Sequence, residues 1–229
     1  MQMQIRPAAQ RGHADHGWLS SRHSFSFASY YDPRFMGFGP LRVINEDRVA
    51  AARGFGRHPH RNMEIISYVI SGQLAHRDSM GNGSVITPDE VQLMSAGTGV
   101  THSEMNPSTD DPVHFLQIWI QPSKMNTAPR YEQKRFDGDG VVLLVSPDGR
   151  DGSLTIYQDV DLYRVRLADG TEATQALRGH RGWLQLISGE LTVNGAALRA
   201  GDGLALKDAD AVSLTASGAV EALLFDMAA

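Results

Sequence analysis

A chain of 229 residues, 41% of them hydrophobic and 21% charged, has the composition of a folded protein that buries a sizeable core. The net charge of -5 comes without any basic block, which excludes the electrostatic signature of a nucleic-acid or anionic-membrane surface. Because there is no cysteine, any metal ion must be held by nitrogen and oxygen. No stretch approaches the about 20 apolar residues of a membrane helix, and the first residues lack the apolar segment of a signal peptide, so we expect a cytoplasmic protein.

Residues 1–45 hold a large share of the aromatic side chains. Residues 23–27 alternate polar and apolar side chains, as a half-buried strand does, and residues 41–45 form the next predicted strand. We expect these strands to form a pair that seals a barrel. The alternative interpretation is that the aromatic rings form the wall of a pocket.

Short strands separated by glycine are predicted between residues 57 and 120. Residues 65–70 are rich in β-branched side chains, and residues 113–120 alternate in polarity. Many short strands at nearly regular spacing are typical of a β-sandwich or β-barrel and argue against a βαβ fold. The polar residues 122–135, which include Pro129, are predicted to be a linker or a crossover between two halves of the chain.

The second half of the chain repeats the pattern of the first. Residues 64–74 and 182–191 both end a hydrophobic strand at Ile-Ser-Gly, followed by one polar residue and leucine, and residues 200–203 resemble residues 96–99. We therefore predict two copies of one β-barrel unit. The second copy has His180 as its only histidine, so we expect it to bind no metal and to act as a scaffold or to close the first barrel.

Four side chains of the first copy have the spacing of metal ligands. His58 and His60 are separated by one residue, as are His102 and Glu104, and such pairs lie on one face of a β-strand. If the two strands are neighbours, three imidazoles and one carboxylate converge on one point, a set that suits Fe, Mn, Ni, Cu or Zn. Four protein ligands leave two positions of an octahedral ion open, for water, for an oxygen pair of a substrate, or for one substrate oxygen and dioxygen. The metal would lower the pKa of a bound enol or hydroxyl, and Glu104 is the candidate base.

Three roles are open to Glu64. It lies four residues after His60, so in an unbroken strand it faces the same side as the histidine pair, unless a bulge intervenes. It is then a ligand, a hydrogen-bond acceptor for an imidazole, or the base. His76 and Asp78 also have the two-residue spacing, but they follow a turn, and we favour an ordinary hairpin surface. The histidines interpreted as non-ligands are His13, His16, His23, His76, His114 and His180.

The residues around these ligands resemble the two motifs of the cupin superfamily. The matching residues are His58, Pro59, His60, Arg61, Glu64 and Gly72 for the first motif, and Gly97, Gly99, His102, Glu104 and Asn106 for the second. Residues 22–27 and 94–105 are similar to the pirin family in particular. The first motif lacks the leading glycine of cupins and Ser95 stands where cupins have proline, and both departures fit pirins.

The resemblance to pirins implies a bicupin, with two antiparallel β-barrels of jelly-roll type packed face to face. It implies a metal-binding barrel within residues 1–130 and a degenerate, metal-free barrel within residues 131–229. The implied ligands are His58, His60, His102 and Glu104, with Glu64 outside the ligand set. Bacterial pirins are associated with quercetin 2,3-dioxygenase activity, which opens the central ring of a flavonol with O2 and releases carbon monoxide. Their eukaryotic relatives are nuclear iron proteins that act as transcriptional coregulators.

We therefore predict a metal-dependent dioxygenase that acts on a flavonol such as quercetin. Fe(II) is the expected cofactor, with Cu, Mn, Ni and Zn as alternatives, and Glu104 or Glu64 is expected to take the proton of the substrate's 3-hydroxyl group. The alternative is a metal-binding regulatory protein that docks a partner and for which flavonol cleavage is incidental or absent. A third hypothesis is another small enolic or phenolic substrate. We expect no nucleic-acid or membrane partner, and a monomer.

Overall fold

The computed structural model describes residues 1–228, and nearly all of its regular structure is β-strand, which confirms the predicted all-β class. The strands are β1 (Gln2–Arg6), β2 (Gly12–Asp15), β3 (Leu19–His23), β4 (Leu41–Val49), β5 (Gly54–His60), β6 (Glu64–Ser71), β7 (Leu74–Asp78), β8 (Gly83–Ile86), β9 (Glu90–Ser95), β10 (Val100–Met105), β11 (Val113–Ile120), β12 (Arg130–Arg135), β13 (Gly140–Ser146), β14 (Leu154–Thr155), β15 (Val160–Leu167), β16 (Glu172–Ala176), β17 (Arg181–Val193), β18 (Ala196–Arg199), β19 (Gly203–Lys207) and β20 (Ala211–Met227). Two short 3-10 helices lie at Ala8–Gln10 and Arg150–Gly152. Over residues 1–228, no helix has the length and apolar character needed to cross a membrane.

The chain divides into two compact units. The first unit consists of residues 12–136 and 156–158, and the second unit contains the remaining described residues. The second unit includes residues 1–11, which the sequence-based division had assigned to the first half. Their place follows from β1, which pairs antiparallel with β19 from Gln2 opposite Lys207 to Arg6 opposite Gly203. No local pattern in the sequence reveals a pairing over such a separation.

The first unit is built from two sheets that pack face to face. The larger sheet has the strand order β12-β9-β6-β11-β4-β3-β2, and the smaller has the order β5-β10-β7-β8. Buried residues of both sheets share one hydrophobic cluster: Leu19, Val49, Val69, Val113 and Phe115 from the larger sheet, with Leu74 and Ile86 from the smaller. Within residues 1–228 the hydrogen-bonded order of neither sheet closes on itself. The predicted barrel is therefore an open structure of two sheets in the first unit.

Two local predictions for the first unit were wrong. The polar segment predicted as a linker contains β12, which pairs with β9 at the edge of the larger sheet. Its polar composition is typical of an edge strand, because an edge is flanked by a neighbour on one side only. The alternating residues 23–27 are not a continuous strand either. β3 ends at His23, and the chain turns at Ala28, whose φ of 51° is incompatible with an extended strand.

The second unit forms one sheet with the order β1-β19-β17-β20-β15-β13-β14, to which β16 adds beside β20 and β18 beside β17. The two long strands change partners along their length. The start of β17 pairs with β19 and its end with β18, and register shifts between Leu186 and Glu190 separate the two parts. Such bulges bend a strand and increase its twist. The bent sheet encloses an aliphatic core that includes Leu184, Leu204 and Leu224.

Candidate metal centre

Strands β5 and β10 are neighbours in the smaller sheet. This is the condition under which the sequence predicted that the side chains of the two pairs converge. His58 lies directly opposite His102, and residues directly opposite in an antiparallel pair project from the same face. His60 projects from that face as well, because it follows His58 by two residues. The three ring centroids are 4.5–4.8 Å apart, and one nitrogen from each ring lies within 4.8 Å of the other two. Three of the four predicted ligands therefore form one cluster.

His58 and His60 each have one ring nitrogen that is available as a ligand. The Nδ1 atom of His58 is 2.8 Å from the carbonyl oxygen of Gly56. A carbonyl only accepts hydrogen bonds, so Nδ1 carries the proton and Nε2 has a free lone pair. The Nε2 atom of His60 is buried and has no hydrogen-bond partner.

A chain of hydrogen bonds prepares the third imidazole in the same way. The Nε2 atom of His76 lies 3.2 Å from a carboxylate oxygen of Asp78 and donates to it, because a carboxylate accepts only. The Nδ1 atom of neutral His76 is then an acceptor, 3.4 Å from Nδ1 of His102. Gln92 Nε2, 3.3 Å away, donates to the same atom of His76, and in the tautomer of His102 that donates from Nδ1 its Nε2 atom is unprotonated. Such partners orient metal-binding imidazoles in many proteins.

The distances fit a metal ion. The Nε2 atoms of His58 and His102 lie 3.0 Å apart, and the hydrogen-bond pattern places no proton between them. Two nitrogens bound at right angles to one ion at about 2.1 Å are about 3.0 Å apart. Burial, together with the smaller effect of neighbouring imidazoles, lowers the pKa of His60 to about 4 and that of His102 to about 3. At neutral pH these rings present lone pairs rather than charges, which is the state that binds a metal.

Glu104, the fourth predicted ligand, lies beside this cluster on β10 and groups with His76 and His102, not with His58 and His60. A carboxylate oxygen of Glu104 lies within 4.8 Å of ligand atoms of His76 and His102. The side chain is 1% exposed, and its two oxygens accept hydrogen bonds from Ser67 Oγ at 3.0 Å and Gln117 Nε2 at 2.7 Å. Burial raises the pKa of Glu104 to about 7, although the hydrogen bonds from Gln117 and Ser67 oppose this shift. A cation at the three imidazoles would favour the charged carboxylate.

Glu64 lies apart from the cluster. The even offset from His60 does not put it on the same side, because the strand is broken: the chain turns at Asn62, with a φ of 51°, and passes from the smaller sheet to the larger. Glu64 is an odd number of residues from Ser67, so it projects from the opposite face of β6. Its carboxylate accepts hydrogen bonds from Ser95 Oγ at 2.8 Å and from the backbone of Tyr157 at 3.4 Å.

The interpretation of His76 as part of a hairpin surface was wrong. His76 is fully buried and lies opposite Glu104 in the pairing of β7 with β10. The ring of Tyr131 stacks on it, with centroids 4.8 Å apart. The sequence signal for His76 was its two-residue spacing from Asp78. That spacing indicates a functional pair only if the neighbouring strand is β10, and the sequence does not reveal which strand is the neighbour.

A row of polar residues in the larger sheet was also missed. Five adjacent strands of the larger sheet each contribute one polar residue to this row, and each residue lies opposite the next. All five project from the face toward the smaller sheet. In order across the sheet they are His23, Asn45, Gln117, Ser67 and Gln92. All five are less than 9% exposed. Gln117 and Ser67 bind Glu104, and Gln92 Nε2 lies 3.3 Å from His76. The signal in the sequence was a polar residue at an inward position of a strand that is otherwise apolar.

A cavity of about 270 Å³ opens beside the cluster. The residues that line it are Ala14, His16, Leu19, Ser21, His23, Phe27, Ala28, Ser29, Asn45, Asp47, Phe55, His58, His60, Glu104, Gln117 and Trp119. The ring of Trp119 packs edge-on against both His60, at 5.0 Å, and Phe27, at 5.4 Å. Phe25 and Phe35 are buried in the protein interior. The amino-terminal aromatic residues are therefore divided between a pocket wall and the interior.

The chain resembles known proteins over nearly its whole length. Residues 4–120 match the family model described as Pirin. The chain belongs to the pirin family. Residues 143–227 match the model described as Quercetinase C-terminal cupin domain.

Among pirin relatives, a protein of Escherichia coli K12 named quercetin 2,3-dioxygenase is 51% identical over 225 residues, which cover 97% of each chain. The crystal structure of YhhW from Escherichia coli has a TM-score of 0.96 with this pirin, at 50% identity, and the match covers 99% of this chain and 97% of that one. A second structure, of the bacterial pirin YhhW in complex with nickel(II), also has a TM-score of 0.96, at 49% identity and 99% coverage of both chains.

Proposed function

We propose that this pirin is a metal-dependent dioxygenase that opens the central ring of a flavonol such as quercetin with O2 and releases carbon monoxide. The observation that carries the proposal is the cluster of one nitrogen from each of His58, His60 and His102, beside a cavity that His58, His60 and the buried carboxylate of Glu104 line. The names of the relatives support the substrate class.

We assign the metal ligands as the Nε2 atoms of three histidines and one carboxylate oxygen. These ligands are His58, His60, His102 and Glu104. Fe(II) is our first expectation for the ion, and Ni(II), Cu(II), Mn(II) and Zn(II) are alternatives, because a mixed nitrogen and oxygen set accepts all of them. The nickel(II) complex of a relative supports a divalent transition metal as the cofactor. When bound, the ion supplies Lewis acidity toward the 3-hydroxyl group of the flavonol and the redox chemistry that O2 requires.

The protein's own residues hold the substrate and its proton. Glu104 reaches the cavity and is the base that receives the proton of the 3-hydroxyl group at a carboxylate oxygen. Gln117 and Ser67 keep that carboxylate in one orientation through the two hydrogen bonds described above. Phe27 and Trp119 provide a rigid apolar wall against which a planar ring packs and from which water is excluded.

The test is oxygen uptake and carbon monoxide release with quercetin. Protein stripped with a chelator is reloaded separately with Fe(II), Cu(II), Mn(II), Ni(II) and Zn(II). We expect turnover with at least one redox-capable metal, one carbon monoxide per O2 consumed, and loss of turnover in His102→Ala. His180→Ala is the matched control, because His180 is 58% exposed and lies in the second unit.

Two results would contradict the proposal. Equal consumption of O2 and quercetin by stripped and reloaded protein would exclude a metal-dependent reaction. Stoichiometric metal without turnover would keep the metal site but assign it to another enolic or phenolic substrate, or to a regulatory role.

A further inference from the structure

Glu104 has two duties in the proposed function, and the two oppose each other. As a metal ligand it must be a carboxylate, because a ligand binds the ion in its deprotonated form. As the base it holds the substrate's proton and loses that charge. Both of its oxygens also accept hydrogen bonds, from Ser67 Oγ at 3.0 Å and from Gln117 Nε2 at 2.7 Å. A second proton acceptor in the same cavity would let Glu104 remain a charged ligand.

Asp47 is a second carboxylate of this cavity. It lines the cavity together with His58 and Glu104, and it is 4% exposed. Asp47 belongs to β4 of the larger sheet, whereas His58 and Glu104 belong to strands of the smaller sheet. It projects toward the smaller sheet, because it follows Asn45 by two residues and Asn45 belongs to the polar row on that face. The cavity therefore has one buried carboxylate from each sheet.

The register of the larger sheet places Asp47 close to the residue that holds Glu104. Asn45 lies directly opposite Gln117, which donates to Glu104. Asp47 is the next residue of β4 on the same face, so it is a diagonal neighbour of Gln117, and such neighbours are about 7–8 Å apart. One diagonal step and one hydrogen bond through Gln117 therefore separate the two carboxylates.

One oxygen of Asp47 is held by the protein, and the other is available to a ligand. Ser21 Oγ donates to Oδ1 of Asp47, and it lies 2.8 Å from Nε2 of His23. Because the serine proton points to the carboxylate, the serine oxygen accepts from the imidazole. Over residues 1–228, no other hydrogen bond reaches the buried side chain of Asp47. A buried carboxylate with an unused oxygen in a cavity indicates a ligand that donates to it.

Ser21 and His23 act through Asp47. In a catalytic triad the imidazole lies between the hydroxyl and the carboxylate and removes the hydroxyl proton. Here the hydroxyl of Ser21 lies between His23 and Asp47 and receives a hydrogen bond from the imidazole, so it is not activated as a nucleophile. Both are positioning residues, which fix one oxygen of Asp47 and leave the other for the substrate.

The surroundings of Asp47 suit a group that gains and loses a proton near neutral pH. Burial raises the pKa of Asp47 to about 7, the hydrogen bond from Ser21 opposes this shift, and the charges of Glu104 and Glu46 add to it. Phe115, directly opposite on β11, contributes no charge. The other titratable groups that line the cavity are His16, His23, His58 and His60. A base is most effective when its pKa lies near the working pH.

We propose that Asp47 is a further catalytic residue, the carboxylate that holds the proton of the substrate's 3-hydroxyl group while Glu104 binds the metal as an anion. The O–H bond of the flavonol breaks, its electron pair stays on the flavonol oxygen, and the proton bonds to the oxygen of Asp47 that Ser21 does not bind. Ring opening leaves an ester with one new carboxylate. The proton passes from Asp47 to that carboxylate or to water, which restores the base. This inference rests on the proposed dioxygenase function and separates the two duties of Glu104.

The first experiment counts protons when a flavonol binds. The probe is 3-hydroxyflavone, which has the 3-hydroxyl group as its only ionisable group, and the protein is loaded with Ni(II) and kept free of O2. The absorption spectrum reports the fraction of bound flavonol that is ionised. An indicator dye reports the protons released at about pH 7.5, where most of Asp47 is ionised in the free protein. We expect wild type to release less than about half a proton for each flavonol anion bound, because Asp47 takes the proton up.

The deciding variant is Asp47→Asn, which keeps the size of the side chain and an acceptor for Ser21. We expect it to release about one proton for each flavonol anion bound, or to leave the bound flavonol neutral, because the acceptor is missing. Its affinity for Ni(II), measured by competition with a coloured chelator, should stay within about threefold of wild type, because Asp47 is not a ligand. Asp110→Asn, in an exposed loop, is the matched control for the loss of one carboxylate and should behave as wild type.

Turnover gives a second readout. With a metal that supports the reaction, Asp47→Asn should lower kcat for quercetin at least about 100-fold and change KM less than about threefold, because a base acts in the chemical step. The wild-type rate should fall below pH about 7, where Asp47 becomes protonated, and the variant should lack this dependence. Ser21→Ala should lower kcat less and move the fall to higher pH, because the lost hydrogen bond stabilises the charged carboxylate. A merely structural role of Ser21 would leave the pH dependence in place.

The outcomes separate this proposal from the dioxygenase function. An Asp47→Asn protein that binds the flavonol anion without releasing a proton, or that turns quercetin over at the wild-type rate, would overturn the role of Asp47 and leave the dioxygenase intact, with Glu104 as the base. A loss of Ni(II) affinity of about tenfold or more in this variant would also overturn that role, because Asp47 would then act through the metal site. Absence of turnover with every metal would overturn the dioxygenase, whereas the expected proton counts would keep Asp47 as the acceptor for a bound enol. Failure of wild type to bind 3-hydroxyflavone would overturn both.

Discussion

The two units of this pirin share an Ile-Ser-Gly segment, but the inward side chains before it are polar in the first unit and aliphatic in the second. In each unit a buried stretch of strand leads into Ile-Ser-Gly, where β6 ends and where β17 bulges before it continues to Val193. The two glycines have nearly equal φ angles, 78° at Gly72 and 82° at Gly189. A β-carbon would lie 2.8 Å from the carbonyl oxygen of Pro112 at the first position and 2.3 Å from that of Ala219 at the second. Both positions therefore require glycine for conformation and for space.

The strands that lead into these turns carry different inward residues. At the equivalent position before each glycine, Ser67 in the first unit faces Gln117, and Leu184 in the second unit faces Leu224. The polar pair binds the carboxylate of Glu104, whereas the leucine pair belongs to an aliphatic core. One backbone arrangement thus accommodates either a site or a core. The choice depends on a few inward side chains and not on the fold.

The comparison predicts its largest effect for a polar residue placed in the second unit. Leu184→Ser should lower the free energy of unfolding by about 3–5 kcal/mol, because it removes most of a buried aliphatic side chain and introduces a hydroxyl without a partner. Urea denaturation followed by circular dichroism measures this change. Thr192→Ser, on an exposed position of the same strand, is the control and should change stability by less than about 0.5 kcal/mol. A decrease in the free energy of unfolding of less than about 1 kcal/mol would mean that the interior of the second unit tolerates a polar side chain.

The reverse change in the first unit should affect metal binding. Gln117→Leu removes the amide that holds Glu104 at 2.7 Å, and removal of such a partner weakens metal binding by about 10–100-fold. Competition with a coloured chelator for Ni(II) measures the affinity. Gln121→Leu serves as the exposed control, with unchanged affinity. If Gln117→Leu bound Ni(II) as wild type does, Glu104 would not need its amide partner, or would not be a ligand.

A smaller effect is expected for Asp78, which reaches the proposed ligand His102 only through His76. Asp78→Asn keeps an acceptor for His76 but removes its charge, so His102 should be oriented less firmly and Ni(II) should bind up to about tenfold more weakly. The same chelator competition measures the change. Asp110→Asn, in an exposed loop, controls for the loss of one negative charge. An unchanged affinity would show that His76 orients His102 without help from Asp78.

The site was predictable where it depended on a single strand. The spacing of His58 with His60, and of His102 with Glu104, sets a common face by the two-residue period of a strand, which is a local property. The repeat could be recognised in the sequence because glycine is required at both Gly72 and Gly189. The all-β class followed from the length and spacing of the apolar runs. These features depend on neighbours in the sequence, so the sequence by itself determined them.

Tertiary structure decided everything that depends on which strands meet. The same two-residue period failed for Glu64, because the turn at Asn62 carries the chain into the other sheet. The two-residue spacing of His76 and Asp78 was interpreted as a hairpin surface, because the role of His76 depends on β10 as its neighbouring strand. Pairing partners are selected by the packing of the whole unit, and a shift of one residue in register would turn every inward side chain outward. For this reason the proposed ligand pairs could be predicted from the sequence, whereas the polar row beside them could not.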